Sequence, residues 1–301
     1  MDNGVVAVVV TYNRKALLKE CVNALLKQTY PLDHIIIIDN HSTDGTGDYI
    51  QSYLKSGLID YEYMEQNIGG AGGFNQGIKE AAKYTSEYIW LMDDDTIPTS
   101  DALKKMMDAA DKVGFEFGFL ASNVLWKDGT PCLMNIPKVH EDWIYQTQYL
   151  ESNLVRLESA SFVSLLVSKK AVKECGLPIK DFFIWGDDVE YTKRISKKFI
   201  NYFCGDSVVV HKMKFNERTD IYTDSGTRLK RYEYMIRNRG KEIQDKGVYE
   251  KLKYLLRGMV LSLSLLIKGS NHRFERAKVV FVGTIKGLTF NPAIEYINVL
   301  E

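Results

Sequence analysis

The sequence predicts an α/β protein built on a mainly parallel sheet with flanking helices, followed by a helical carboxyl-terminal region. Two unbroken apolar runs, Val5–Val10 and Ile35–Ile38, mark strands buried on both faces. Between and after them, apolar residues recur at helical spacing. Strands alternating with helices imply right-handed crossovers and therefore parallel neighbours.

After the first run Asn13 offers an N-cap, and Leu18, Cys21, Val22 and Leu25 line one face of a helix. The second run ends at Asp39-Asn40, and Asp44 offers a cap for a helix carrying Ile50 and Leu54, closed by Gly57. Ile59–Met64 predicts a third strand, followed by a glycine-rich segment and a helix with Ile78, Ala81 and Ala82. Tyr88–Met92 is the fourth strand. Beyond Gly114 the pattern loosens. Leu165–Val167 resembles another strand with a helix starting near Ser168, and the apolar run Val208–Val210 ends at His211. From there the chain turns basic and helical.

Composition narrows the function classes. The 301 residues hold 39 basic and 39 acidic side chains, so no general affinity for polyanions is expected and nucleic acid is not a predicted partner. Cys21, Cys132, Cys175 and Cys204 are scattered without a CxxC pair, as expected of reduced thiols in a cytoplasmic protein. The first strand begins almost at once, so no signal peptide is expected. No run of ~18 apolar residues predicts a membrane-spanning helix.

In parallel sheets ligands bind beyond the carboxyl ends of the strands, where Thr11, Asp39, Asn67 and Asp93 fall. The most telling feature there is Asp93-Asp94-Asp95. Adjacent carboxylates repel, and strand alternation puts Asp93 and Asp95 on one side with Asp94 on the other. Such a pair suits a divalent cation carrying a phosphate-bearing ligand; a solvated acidic turn capping a helix is the plainer alternative. The segment Asn67–Phe74 holds four glycines in five residues. It matches neither the dinucleotide fingerprint nor a P-loop, so its predicted use is a tight turn and close approach of a ligand to N–H groups at a helix start. A strand-end Asp39 can accept from a ribose hydroxyl or a base N–H. In Phe182–Tyr191, aromatics around Asp188 can desolvate it and raise its pKa toward that of a general base; Asp188 can also simply cap the following helix. His211 is either structural or a metal ligand.

Together these pieces resemble the inverting nucleotide-sugar transferases of glycosyltransferase family 2, with the GT-A fold. The matching pieces are Val8–Arg14, Ile38–Gly45, the Asp93–Asp95 run, and Asp187-Asp188 with Arg194, over roughly residues 4 to 212. Asn67–Phe74, Trp185–Asp188 and Tyr232–Asn238 look most like the galactofuranosyltransferase and rhamnosyltransferase branch. The resemblance implies a catalytic domain over 1–212, with a nucleotide-sugar part to about 112 and an acceptor part to 212, then a helical region over 213–301. It implies that Thr11 and Asp39 hold the nucleobase and ribose, and that Asn67, Gly70 and Gly72, with Asp93 and Asp94, line the donor. Asp93, Asp95 and His211 would bind Mn2+ or Mg2+, Asp188 would be the base, and Trp185 and Asp187 would meet the acceptor. Where many relatives have Glu-Asp, this chain has Asp187-Asp188. The implied donor is UDP-galactofuranose first and dTDP-rhamnose second, and the acceptor is a saccharide or lipid-linked saccharide of surface polysaccharide synthesis. A sugar nucleotidyltransferase would normally carry a glycine-rich basic loop after the first strand, which Thr11–Arg14 lacks. A non-catalytic carbohydrate-binding or assembly protein is the competing reading of another class, and the intact acids Asp39, Asp93, Asp95 and Asp188 count against it.

In the last third, Leu252, Leu255, Leu256, Met259, Val260, Leu263, Leu266 and Ile267 form a wide apolar helical stripe among basic residues. Such a helix either lies on an anionic membrane face, making the protein peripheral on the inner membrane, or packs on the catalytic domain or on a second subunit of a homo-oligomer.

Overall fold

The computed structural model describes residues 3–224, 226–268 and 271–297. The first part repeats the expected alternation: β1 (Val5–Thr11), α1 (Lys15–Leu25), β2 (His34–Asp39), α2 (Thr46–Leu54), β3 (Ile59–Tyr63), α3 (Gly69–Ala81) and β4 (Tyr88–Asp93). Then come β5 (Thr96–Pro98), α4 (Ala102–Lys112), β6 (Phe119–Leu125), β7 (Lys138–Val139), β8 (Leu154–Ser159), β9 (Leu165–Ser168), α5 (Lys169–Cys175), α6 (Asp187–Ser196) and β10 (Tyr202–His211). The remainder carries α7 (Leu229–Arg239), α8 (Gly247–Lys268) and α9 (Arg273–Gly287).

The strands form one ten-stranded sheet in the order β3-β2-β1-β4-β9-β6-β10-β8-β7, with β5 also paired to β10. Its β3-β2-β1-β4 half is wholly parallel. The other half is mixed, because β9 runs antiparallel to both β4 and β6 while β6 and β10 are parallel. The fold is thus α/β with helices on both faces of a sheet that is parallel in its core. Alternation along β1 makes those two faces: Val5, Ala7 and Val9 join one buried cluster with Leu18 and Leu25, and Val6, Val8 and Val10 join the other with Phe74 and Ile78. Burying each valine, leucine, isoleucine or phenylalanine among them contributes roughly 1.5–3 kcal/mol.

Two local expectations are corrected. Asn13 does not cap α1; it sits in the left-handed region at φ 52°, and Arg14 is the N-cap residue. The first-turn N–H of Lys15 instead donates to Asp44 Oδ2 at 2.9 Å, while Asn13 Oδ1 accepts from Thr43 N. The loops after β1 and β2 therefore cap each other. The glycines after Asn67, expected as a turn at a helix start, lie largely within the helix itself, for α3 begins at Gly69. Gly69 has φ +74° and makes the entry turn. Further along, a Cβ at Gly73 would lie 2.6 Å from Val10 Cγ1, and one at Gly77 would overlap Val8. Gly73 and Gly77 thus let α3 press on β1, while Gly72 faces Ile68 of its own entry turn.

The chain divides into two compact units, 3–180 with 188–217 and 294–297, and 181–187 with 218–293. This differs from a single cut after residue 212 for a packing reason. In the second unit the rings of Phe182, Phe183 and Trp185 lie against Phe290, Tyr234 and Tyr232, and Asn238 Nδ2 donates to the carbonyls of Phe182 and Trp185. In the first unit the returning tail is held by Leu177 N donating to Glu295 O at 2.7 Å and by the Lys79–Glu295 ion pair.

Candidate active site

Register brings the strand-end polar residues together. Thr11 of β1 pairs with Asp39 of β2, and Val10 with Asp93 of β4, so three neighbouring parallel strands end in line. The turn after β4 leads into β5, whose Thr96 pairs with His211 at the end of β10, and Lys212 N donates to Asp95 O at 2.8 Å. This short antiparallel pairing is what carries His211 to the acid run.

Asp93, Asp95 and His211 each point a ligand atom into one cluster, all within 4.8 Å of one another. His211 Nε2 lies 2.9 Å from Asp95 Oδ1, and its Nδ1 lies 2.8 Å from Asn135 Oδ1. Asp94 turns the other way, accepting from Thr11 Oγ1 at 2.7 Å. Between the acids stands Arg14, whose Nη1 is 2.5 Å from Asp95 Oδ2 and 3.4 Å from Asp94 Oδ1.

The electrostatics follow from burial and these partners. Burial, then the charge of Asp95, pushes Asp93 up to about 6. Burial likewise lifts Asp94 to about 7 against the pull of Arg14. Asp95 moves the other way: burial opposes its charge, but hydrogen bonding to His211 and the charges of His211 and Arg14 hold it below the usual range. Burial also disfavours the His211 cation, yet its hydrogen bond to Asp95 raises it to about 10. Two carboxylates and an imidazole are a donor set that suits a divalent cation. The residues therefore fit a divalent ion, which Asp93, Asp95 and His211 would hold.

Asp188 stands in the first turn of α6, where its Oδ1 accepts from Val189 N at 2.7 Å. Burial raises it to about 6, and its charge in turn raises Asp93, so the two carboxylates share one electrostatic neighbourhood. A first-turn hydrogen bond and a raised pKa coexist in this residue.

The other predicted residues are placed as follows. Asp39 is fully buried, and its oxygens accept from Ser42 N at 2.7 Å and Tyr61 Oη at 2.6 Å; it shapes the loop after β2. Asn67 Oδ1 accepts from Gly69 N and so turns the chain into α3. A Cβ at Gly72 would meet Ile68 at 2.9 Å, whereas one at Gly70 would meet nothing within 4 Å. Trp185 and Asp187 belong to the second unit, where Trp185 lies edge-on to Tyr232 and Asp187 is buried. Arg14 and Asn135 were not singled out as site residues. Arg14 carried one signal, a cation directly after a strand end; Asn135 carried none.

Residues 6–120 match the family model described as Glycosyl transferase family 2. Over 273 residues the chain is 27% identical to galactofuranosyltransferase GlfT1 of Mycobacterium tuberculosis, covering 84% of this chain and 86% of that one. Residues 1–349 of S. aureus TarS superpose with a TM-score of 0.60 at 16% identity, over 95% of this chain and 81% of that one. Of the longer TarS chain, this one spans 44%. GalNAc-T7, crystallised with UDP, GalNAc and Mn2+, gives a TM-score of 0.58 at 15% identity, over 84% of this chain and 54% of that one. At such identities these structures speak for the fold, which is that of GT-A glycosyltransferases.

Proposed function

We propose that this chain, which carries a family 2 glycosyltransferase domain over residues 6–120, inverts configuration while moving a sugar from a nucleotide-sugar donor to a saccharide or lipid-linked saccharide acceptor. UDP-galactofuranose is the first donor, in keeping with the likeness to a galactofuranosyltransferase over most of the chain. The observation that carries the mechanism is the Asp93–Asp95–His211 cluster with the carboxylate of Asp188 in its electrostatic reach.

In this mechanism Asp188 accepts the proton of an acceptor hydroxyl as that oxygen bonds to the anomeric carbon. The bond from that carbon to the diphosphate oxygen breaks on the opposite face, and the nucleoside diphosphate leaves with the electron pair. Asp93, Asp95 and His211 would hold Mn2+ or Mg2+, whose chemistry there is Lewis-acid neutralisation of the departing charge, worth several kcal/mol. Thr11 and Asp39 would face the nucleoside, and the start of α3 at Asn67 and Gly70 the diphosphate and sugar. Trp185 and Asp187 would receive the acceptor. The same reading keeps the enzyme cytoplasmic, with a lipid-linked acceptor presented at the inner membrane face for surface polysaccharide synthesis.

Thermal-shift measurements with UDP-galactofuranose and dTDP-rhamnose, each with and without Mn2+, test the donor. Stabilisation by the UDP-sugar that requires Mn2+ is the expected result. Preferential stabilisation by dTDP-rhamnose would transfer the reading to a rhamnosyltransferase, and no response to either would remove both.

A further inference from the structure

The long helix α8 packs the wrong way round for an ordinary surface helix. Its buried residues are Gly258, Ser262 and Leu265. The small ones let α9 approach closely: a Cβ at Gly258 would collide with Thr284, and Ser262 Oγ donates to Ala277 O. Leu265 joins the core and Leu261 and Leu266 pack against it, but most of the other large apolar residues face outward. Leu252, Leu256, Met259, Val260, Leu263 and Ile267 are between 48% and 71% exposed. At 3.6 residues per turn they fall within an arc of roughly 100°, opposite the packed face. Arg257 and Lys268, both exposed, lie along one edge of that arc. The stretch from Lys246 to Lys286 holds nine Lys and Arg against two Glu, in a chain whose net charge is zero.

A packing stripe, an exposed apolar stripe and a basic edge on one helix are what an interfacial helix needs. Yet no helix among the described residues is long and apolar enough to cross a membrane. A second copy of this chain fits poorly, because a two-fold pairing sets the same basic patch against itself. We propose that the exposed face of α8 docks on an anionic lipid surface, with its leucines in the acyl boundary and its basic edge among the headgroups. This stands independently of which sugar nucleotide the enzyme uses.

Flotation of the full-length protein with vesicles tests it. Vesicles of equal phosphatidylcholine and phosphatidylglycerol should carry the protein, phosphatidylcholine alone should not, and added salt should release it. Leu256→Glu with Leu263→Glu should lower the partition coefficient by about tenfold or more. Arg257→Gln and Lys268→Gln should each lower it by about fivefold. All four side chains point away from the core, so unchanged melting midpoints are expected. Failure to float with anionic vesicles at low salt would overturn the proposal. So would a dimer in sedimentation velocity that the double glutamate variant splits, since a second copy would then cover the face.

Discussion

The acid run at the end of β4 and the glycine run at the start of α3 are equally conspicuous in the sequence, yet the structure uses them differently. Asp93, Asp94 and Asp95 are held close together in partly or fully buried surroundings, and two of the three have pKa values pushed up to about 6 and 7. Nothing in packing requires three acids there; Arg14 and His211 offset part of their repulsion, and the cation proposed above would offset the rest. The glycines, by contrast, are mostly accounted for by the backbone and its neighbours: Gly69 makes the entry turn, Gly72 faces Ile68, and Gly73, like Gly77 beyond the run, faces a valine of β1. Unusual composition signals chemistry when the fold gains nothing from it, and packing when a neighbour fills the gap.

If that distinction holds, acid variants should lose reaction while keeping the fold, and glycine variants should lose the fold first. Asp188→Asn should reduce turnover by about 10²–10⁴-fold, with donor binding and the melting midpoint nearly unchanged; loss of donor binding alongside activity would make Asp188 structural. Asp95→Ala should abolish the dependence of donor affinity on Mn2+ in calorimetric titration, and wild-type activity undiminished by a chelator would remove the metal role. Gly77→Ala, forced against Val8, should cost about 1–3 kcal/mol in denaturant unfolding. Gly70→Ala has open space and should leave stability within about 1 kcal/mol; if it nevertheless weakens donor binding, one glycine of the run serves the site. The smallest effect is in pH. Asp188 must be deprotonated to accept a proton and its pKa is raised to about 6. With saturating donor, kcat should therefore be flat above about pH 6 and fall on acidification below it, where the carboxyl is protonated.

The parallel half of the sheet was legible because strands buried on both faces are continuous apolar runs, as β1 and β2 are. The mixed half was not. β8 reads Leu-Val-Arg-Leu-Glu-Ser, a pattern too interrupted to stand out, and β9 is inserted between β4 and β6 by a topology that no local pattern records. Asp93, Asp95 and His211 were legible as strand-end polar residues, and their convergence depends on the three-residue β5. Arg14 and Asn135 escaped because each acquires its meaning only from a partner some eighty residues away. The stripe on α8 was visible, but which way it faced was not, since Gly258 and Ser262 look unremarkable until α9 is seen against them.

The tail at 294–297 has a practical consequence for dissecting this enzyme. Since Glu295 is bound by Leu177 and Lys79, the helical unit is an excursion from the sheet unit with both of its ends anchored, and not an appendage that can be clipped. A truncation anywhere upstream of 294 removes a strap from α3 and from the segment after α5 as well as removing helices. Excising 218–293 leaves that strap in place, but it also strips Phe182, Phe183 and Trp185 of the rings they pack on.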